Sequence, residues 1–210
     1  GIFKAEEQLF IGIKFKLKNG WKTYWKNPGD AGEALNVQWK KDSKKINLPV
    51  YFPFPEKFFD KGITTIGYDG EVIFPVRIYE HQDGIKQLTL NYLICKDICI
   101  PVSEEKKINI NLNNLVESDE FLKNYITVPK GDNNHFKFNY SQKTENKIIL
   151  DINIAGNIEN LKIFGFSQET DLKINQNSNS SFEVLFDEDL RILSQPVLFS
   201  ISDGKNFEEI

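Results

Sequence analysis

The sequence predicts an all-β protein made of two antiparallel β-sandwich domains. Apolar and polar residues alternate along most of the chain, which is the pattern of strands with one buried face. The strand-like segments are short, and clusters of Gly, Asn, Asp and Pro separate them at regular intervals. A length of 210 residues with 40% hydrophobic content is sufficient for two domains that each bury a core.

The clearest strand is QLFIGIKFKL, residues 8–17, in which every second side chain is apolar. Similar segments follow it through both halves of the chain. They are residues 21–25, 35–40, 72–79, 87–94, 106–112, 135–140, 147–154, 161–166, 181–186 and 196–202. The polar stretch NQNSNSS at 175–181 is typical of a hairpin tip. Strands of this number and spacing favour immunoglobulin-like sandwiches.

The domains are predicted to span residues 1–115 and 130–210. The first 115 residues carry 17 basic and 14 acidic side chains, whereas the remaining residues carry 9 and 16. Between the domains lies VESDEFLKNYI, where Ser118 is a suitable N-cap for a short helix that carries Phe121 and Tyr125. The loop-like VPKGDNN follows it. A short helix or linker is therefore expected to join the two sandwiches.

The composition argues against two classes of protein. The chain has 26 basic and 30 acidic residues, for a net charge of −4, whereas a nucleic-acid-binding domain is expected to be strongly basic. Nucleic acid is therefore not an expected partner. No window approaches 18 consecutive apolar residues, and the opening GIFKAEEQLF lacks a basic start ahead of an apolar run. We expect neither a membrane span nor a signal peptide within this sequence.

The two cysteines, Cys95 and Cys99, lie close together in the string LICKDICIP. A straight strand rises about 3.3 Å per residue and would hold their α-carbons roughly 13 Å apart, whereas a disulfide requires about 4.4–6.8 Å. A three-residue turn at Lys96, Asp97 and Ile98 would place the two cysteines opposite each other on antiparallel arms. The spacing is therefore compatible with a bond that opens and closes.

From the residues alone, three interpretations of this pair are open. A structural clip is the first, although closing so short a loop removes only about 2 kcal/mol of unfolded-chain entropy. A dithiol that cycles between reduced and oxidised forms is the second, and it is favoured. A metal site is the third, but two thiolates need further ligands. The only histidines, His81 and His135, lie in unrelated loop-like segments typical of solvated side chains.

A group of aromatic residues offers a sugar-binding alternative. These residues are Trp21, Tyr24, Trp25 and Trp39. Core packing is the favoured interpretation, because large aromatic side chains dominate the cores of sandwich domains. Asp30 and Glu33 follow in the turn-like NPGDAG segment, where proximity alone supports a paired-carboxylate glycosidase site.

Four motifs occur in a fixed order along the first domain. They are GWKTYWKNPGDAG (20–32), YFPFPEKF (51–58), YDGEVIFPV (68–76) and LICKDICIP (93–101). In this order they resemble the N-terminal periplasmic region of DsbD-type thiol:disulfide interchange proteins, and the ScsB-like branch in particular. A lone CxxxC spacing is not specific, so the resemblance depends on all four motifs. Beyond about residue 115 the chain resembles the family only in layout, because a second β-rich unit follows the first.

The resemblance implies an immunoglobulin-like domain that relays reducing equivalents through Cys95 and Cys99. In that family a membrane electron-transfer domain, in the same or a partner chain, is the source of electrons, and thioredoxin-like periplasmic proteins are exchange partners. The family also implies a periplasmic location, tethered to the inner membrane through segments outside this chain. Cys99 matches the cysteine that forms intermolecular bonds. Thiol–disulfide exchange requires only two cysteines within bonding reach, so neither a cofactor nor a metal is expected.

The family resemblance also implies an aromatic cap loop that shields the cysteine pair. The matching stretch is PEKFFDKG, which makes Phe58 and Phe59 the candidate cap residues. In the competing interpretation one Phe fills the core and the other lies on the surface. Tyr68 is the alternative residue to close the site.

A function of a different class is the alternative to the relay. In it the chain is a non-enzymatic binding module whose aromatic surface residues hold a ligand and whose disulfide is only structural. The two functions differ in reduction potential, because a structural disulfide resists reduction to below about −300 mV.

Overall fold

The structure is a computed structural model that describes residues 1–41, 44–82, 84–131, 135–154 and 160–210. The chain forms two compact units, Gly1–Ile126 and Thr127–Ile210. Each unit contains two antiparallel sheets, which confirms the predicted all-β sandwich class. Across the described ranges no helix combines the length and the apolar character that crossing a membrane requires.

The first unit is built from a smaller and a larger sheet. Its strands are β1 (Ile2–Ala5), β2 (Gln8–Lys16), β3 (Lys22–Gly29), β4 (Asn36–Lys41), β5 (Lys44–Leu48), β6 (Glu56–Asp60), β7 (Ile63–Asp69), β8 (Glu71–Ile78), β9 (Gly84–Cys95) and β10 (Cys99–Ile110). The smaller sheet has the order β1-β2-β8, and the larger has the order β5-β4-β9-β3-β7-β6. Strand β10 pairs with β9 along its whole length.

Aromatic side chains from both sheets meet in the core of the first unit. The ring of Phe74 on β8 lies 5.4 Å from that of Phe15 on β2 and 5.1 Å from that of Tyr68 on β7. Phe15 also lies 4.8 Å from Tyr92 on β9. Phe74 is fully buried, and such burial of a Phe side chain contributes about 1.5–3 kcal/mol. This packing fixes the larger sheet against the smaller one.

The predicted helix after the first sandwich is confirmed. Helix α1 spans Asp119–Tyr125, and the Ser118 side chain accepts a hydrogen bond from the Phe121 backbone N–H. Phe121 is almost fully buried, and its ring lies 6.2 Å from that of Phe10 on β2. The helix therefore packs as part of the first unit, which extends beyond residue 115.

The second unit also contains two sheets. Its strands are β11 (Phe136–Thr144), β12 (Lys147–Ile154), β13 (Lys162–Phe166), β14 (Leu172–Gln176), β15 (Ser181–Phe186), β16 (Leu198–Ser202) and β17 (Phe207–Glu209). The sheet orders are β11-β12-β15-β14 and β13-β16-β17. Strands β14 and β15 pair around the polar 175–181 stretch, which confirms the predicted hairpin tip. Val184 and Ile201, one from each sheet, are fully buried in the core.

One segment that the sequence analysis treated as a loop is a hairpin. The PEKFFDKG stretch contains strand β6, which pairs with β7 around a two-residue turn at Lys61 and Gly62. Both turn residues have positive φ angles, 50° and 84°, as in the tight turns whose twist matches paired strands. The turn brings β6 and β7 together as paired strands. Phe58 and Phe59 therefore lie on a strand and not in a loop.

Candidate functional site

The two cysteines close one β-hairpin. Cys95 is the last residue of β9 and Cys99 the first of β10, and they face each other in the ladder. Their α-carbons are 4.1 Å apart, and the sulfurs form a disulfide. The backbone N–H of Lys96 donates to the Ile98 carbonyl oxygen across the intervening three-residue loop. The loop at Lys96, Asp97 and Ile98 is therefore the three-residue turn that a bond between these cysteines requires.

The two cysteines differ in exposure. Cys95 is 6% exposed, whereas Cys99 belongs to the exposed residues at the tip of the hairpin. Ile98 and Ile100, on either side of Cys99, are 68% and 38% exposed. An incoming thiolate or disulfide therefore reaches Cys99 more readily than Cys95.

The cysteines continue a row of residues that crosses four strands of the larger sheet. Lys22 on β3 is in register with Cys95 on one side and with Asp69 on the other. Residues directly opposite each other share one face of a sheet. The next residue of β3, Thr23, points to the other face, since it pairs with Tyr68, whose ring packs against Phe74 in the core. The row therefore lies on the face of the sheet that is turned away from the core.

The β6–β7 hairpin brings Phe58 to this same face. Phe58 is half-buried and pairs with Thr65, and its ring centroid lies 4.5 Å from the Nζ of Lys22. Phe59 pairs with Thr64, points to the opposite face and is 74% exposed. Of the two predicted cap residues, only Phe58 therefore lies beside the row that contains Cys95.

A glycine allows β7 to approach β3 closely. A β-carbon at Gly67 would lie 2.1 Å from the Thr23 carbonyl oxygen and 2.9 Å from the Tyr24 α-carbon. No side chain fits in this space, because both neighbours are backbone atoms. Gly67 thus allows the hairpin that carries Phe58 to pack directly against β3 at Thr23 and Tyr24.

The structure places Tyr68 on the core face of β7. Its side chain is buried, and its hydroxyl donates a 2.6 Å hydrogen bond to the Pro53 carbonyl oxygen. Burial raises the pKa of this hydroxyl well above its ordinary value. Because Tyr68 is opposite Thr23 and not on the face of Lys22, this placement corrects the expectation that Tyr68 closes over the cysteine pair.

The other candidate sites of the sequence have structural explanations. Trp25 and Trp39 are buried, as expected of core packing, whereas Trp21 is only half-buried. The Asp30 carboxylate accepts a hydrogen bond from the Thr64 backbone N–H and so joins the NPGDAG turn to β7. His135 lies in a polar group with Asp203 and Asn206 in the second unit. Within the described residues, no three His, Cys, Asp or Glu side chains are arranged to hold a metal ion.

Two further residues lie on the site face: Lys22, which sequence reasoning did not single out, and Tyr24, which was expected only as a core or sugar-binding aromatic residue. Tyr24 lies two positions beyond Lys22 on β3 and is 3% exposed, and burial raises the pKa of its hydroxyl. Both belong to the GWKTYW motif, but Tyr24 is as buried as its neighbours Thr23 and Trp25, so burial along β3 does not distinguish this face. Lys22 comes beside Cys95 only because β3 pairs with β9, and no local pattern in the sequence reveals that pairing.

Comparisons with known proteins agree with this geometry. Residues 2–110 match the family described as "Thiol:disulfide interchange protein DsbD, N-terminal". Among curated proteins, none matches the chain. The structure is similar to the crystal structure of the N-terminal periplasmic domain of ScsB from Proteus mirabilis, with a TM-score of 0.74 and 20% identity. That similarity covers 99% of this chain and 88% of the other, and it shows a shared fold. Since the family match spans more than half of the sequence, the chain belongs to the DsbD N-terminal family of thiol:disulfide interchange proteins.

Proposed function

We propose that this chain is a periplasmic thiol–disulfide exchange domain that relays reducing equivalents through Cys95 and Cys99. A membrane electron-transfer domain, in the same or a partner chain, supplies the electrons, and disulfides of periplasmic proteins receive them. The observation that carries the proposal is the disulfide across the β9–β10 hairpin, which joins a buried cysteine to an exposed one. The family and the periplasmic origin of the similar ScsB domain support the location.

The asymmetry of the pair gives each cysteine a role in the reaction. In the reduced state the exposed Cys99 thiolate attacks one sulfur of a partner disulfide, and the other partner sulfur leaves as a thiolate. The Cys95 thiolate then attacks the Cys99 sulfur of the mixed disulfide. The bond between Cys99 and the partner breaks, and the partner leaves with both of its sulfurs reduced. The domain loses the two electrons that the partner gains, and its cysteines form a disulfide. No cofactor is needed.

The surface around Cys99 suits a protein partner. Ile98 and Ile100 present apolar side chains on either side of the exposed cysteine. A thioredoxin-like partner must bring its own disulfide within bonding distance of Cys99, and an apolar rim favours such an approach by burying surface on contact. Thioredoxin-like periplasmic proteins and a membrane electron-transfer domain are therefore the partners that we propose.

Phe58 is the residue that we propose as the cap of the site. It shares the outer face with Cys95 and is linked to that row by its contact with Lys22. An aromatic ring in this position limits the access of small oxidants to the pair, and an approaching partner displaces it. Phe59, on the other face, contributes to the exposed surface of the hairpin.

A redox titration tests the proposed function. The protein is equilibrated in buffers of defined glutathione or dithiothreitol potential, and free thiols are counted by alkylation and mass spectrometry. A relay pair is expected to titrate within the range of thioredoxin-like proteins, about −120 to −270 mV. A disulfide that stays closed below about −300 mV would instead identify a structural clip and favour the binding-module alternative.

A further inference from the structure

Lys22 occupies a distinctive position in the site. In the sheet Lys22 pairs with Cys95 on β9 and with Asp69 on β7. Its ammonium group lies over the ring of Phe58. The side chain is half-buried and belongs to the outer face. Lys22 thus connects the strand that carries the buried cysteine to the hairpin that carries the proposed cap.

Other charged or titratable groups lie on Lys22's own strand, on β6 and β7, and in the hairpin loop. They are Tyr24 on β3, Glu56 on β6, Asp69 on β7, and Lys96 and Asp97 in the hairpin loop. Lys96 lies against Gly20, where an added β-carbon would come within 3.1 Å of its Cε. Lys22, unlike these groups, is directly opposite Cys95 in the ladder between β3 and β9.

The second step of the exchange, in which Cys95 attacks the mixed disulfide, requires that a buried thiol lose its proton. Cys95 must attack as a thiolate, although it is 6% exposed and burial disfavours a charged sulfur. A nearby ammonium group offsets that cost, because an opposite charge within about 4–6 Å favours the ionised form. The side chain of Lys22 has the length and flexibility to turn from the Phe58 ring towards the sulfur.

We propose that Lys22 is a positioning residue of the exchange reaction, whose ammonium group stabilises the Cys95 thiolate as it resolves the mixed disulfide. This inference rests on the proposed function, since it assigns a role within the same reaction. Contact with Phe58 holds the ammonium group until a partner displaces the cap. The group then turns from the ring towards the Cys95 sulfur during resolution.

The first test measures how pH controls the reactivity of Cys95. In a Cys99→Ala background, the rate of alkylation by iodoacetamide is followed as a function of pH. Lys22→Met is expected to raise the midpoint of this profile by about one pH unit, and Lys22→Arg to restore it. Lys57→Met is the matched control, because Lys57 pairs with Ile66 and points to the opposite face of β6 from Phe58. It should leave the midpoint unchanged.

The second test uses Ellman's reagent as a small disulfide substrate of the reduced domain. Attack by one thiolate releases one nitrothiobenzoate, and resolution by the other cysteine releases a second. Lys22→Met and Lys22→Gln are expected to slow the second release about threefold at neutral pH, because a smaller fraction of Cys95 is ionised. The effect is modest because a more basic thiolate is also more nucleophilic. The first release should be unchanged.

Two results would overturn the role of Lys22. One is a faster alkylation of the Lys22→Met variant at every pH with an unchanged midpoint, which would show that Lys22 only holds Phe58 in place. The other is an unchanged second release in both neutral variants, with thermal unfolding confirming that they are folded. Neither assay uses a biological partner. Failure of the domain to exchange with thioredoxin-like proteins would therefore contradict the proposed function separately.

Discussion

The hydroxyl of Tyr68 donates a 2.6 Å hydrogen bond to the carbonyl oxygen of Pro53, and both groups lie on the core side of the larger sheet. This bond ties β7 to the segment that precedes β6. It therefore holds both ends of the structure that carries the proposed cap, although Tyr68 itself does not lie on the face of the cysteine pair.

Removing the Tyr68 hydroxyl is expected to reduce stability without changing the redox chemistry. Tyr68→Phe keeps the ring against Phe74 but leaves the Pro53 carbonyl oxygen without this donor. The loss of a partner for a buried polar group costs about 1–3 kcal/mol, so the free energy of unfolding should fall by that amount. Denaturant unfolding measures the change. The midpoint of the redox titration should stay as in the wild type, and a shifted midpoint would contradict the core placement of Tyr68.

The exposure difference predicts which single-cysteine variant forms a stable complex with a partner. Cys95→Ala leaves the exposed Cys99 free to attack but removes the thiol that resolves the mixed disulfide. This variant should accumulate a covalent complex with a thioredoxin-like protein, visible on non-reducing gels. Cys99→Ala, which leaves only the buried Cys95, should yield at least tenfold less. Equal yields would contradict the assignment of Cys99 as the attacking residue, and the absence of any complex would contradict the relay.

Adjacent phenylalanines on β6 provide a matched pair for testing the cap. Phe58 lies on the face of the cysteine row, whereas Phe59 is 74% exposed on the other face. Phe58→Ala should increase the rate at which peroxide oxidises the reduced pair, because thiol oxidation depends on access. We expect a change of several-fold, measured by timed alkylation and mass spectrometry. Phe59→Ala should react at the wild-type rate.

Two results would decide against this role for Phe58. If both alanine variants oxidise at the wild-type rate, neither ring shields the sulfurs. If both oxidise faster to the same extent, the whole hairpin and not the ring of Phe58 limits access. The rate of exchange with a protein partner should change less than the peroxide rate, because the partner displaces the cap in either case.

Apolar and polar residues alternate in the strands that the sequence predicted, and in β15 this alternation matches the observed burial. QLFIGIKFKL forms β2, and the turn between Cys95 and Cys99 is the one that a bond at this spacing requires. The strands that were missed, such as β6 and β7, are short or half-exposed, and the adjacent Phe58 and Phe59 hide the period of β6. Local sequence could not reveal them, because pairing with each other and with β3 determines which residues face the core.

The same limit applies to the candidate site. The cysteine pair was predictable, because both of its members lie within five residues of each other in LICKDICIP. Lys22 was not, because more than seventy residues separate it from Cys95 and only the β3–β9 register brings them together. Tyr68 was misplaced for a related reason. Which face of β7 carries Tyr68 depends on its pairing with Thr23 in the neighbouring strand, and local sequence does not show that pairing.

In the second unit, the carboxylate of Asp203 predicts a loss of stability in acid. Burial alone would raise the pKa of Asp203, but hydrogen bonds from the Asn206 backbone and side chain, the Lys205 backbone and His135 lower it to about 2. The ordinary pKa of an Asp in an unfolded chain is about 3.9. Because the folded pKa is the lower one, the ionised group stabilises the fold above about pH 4. This contribution is lost as the pH falls towards about 2.

Replacing Asp203 tests this dependence directly. Asp203→Asn removes the charge that accepts these hydrogen bonds, so the second unit should be less stable at neutral pH and should lose less stability between pH 4 and pH 2 than the wild type. Hydrogen exchange of the β16 amides in the intact chain follows this unit alone. Asp151→Asn, an exposed carboxylate on β12, serves as the control and should retain the wild-type acid dependence. If Asp203→Asn keeps the full loss of protection between pH 4 and pH 2, the carboxylate of Asp203 is not its source.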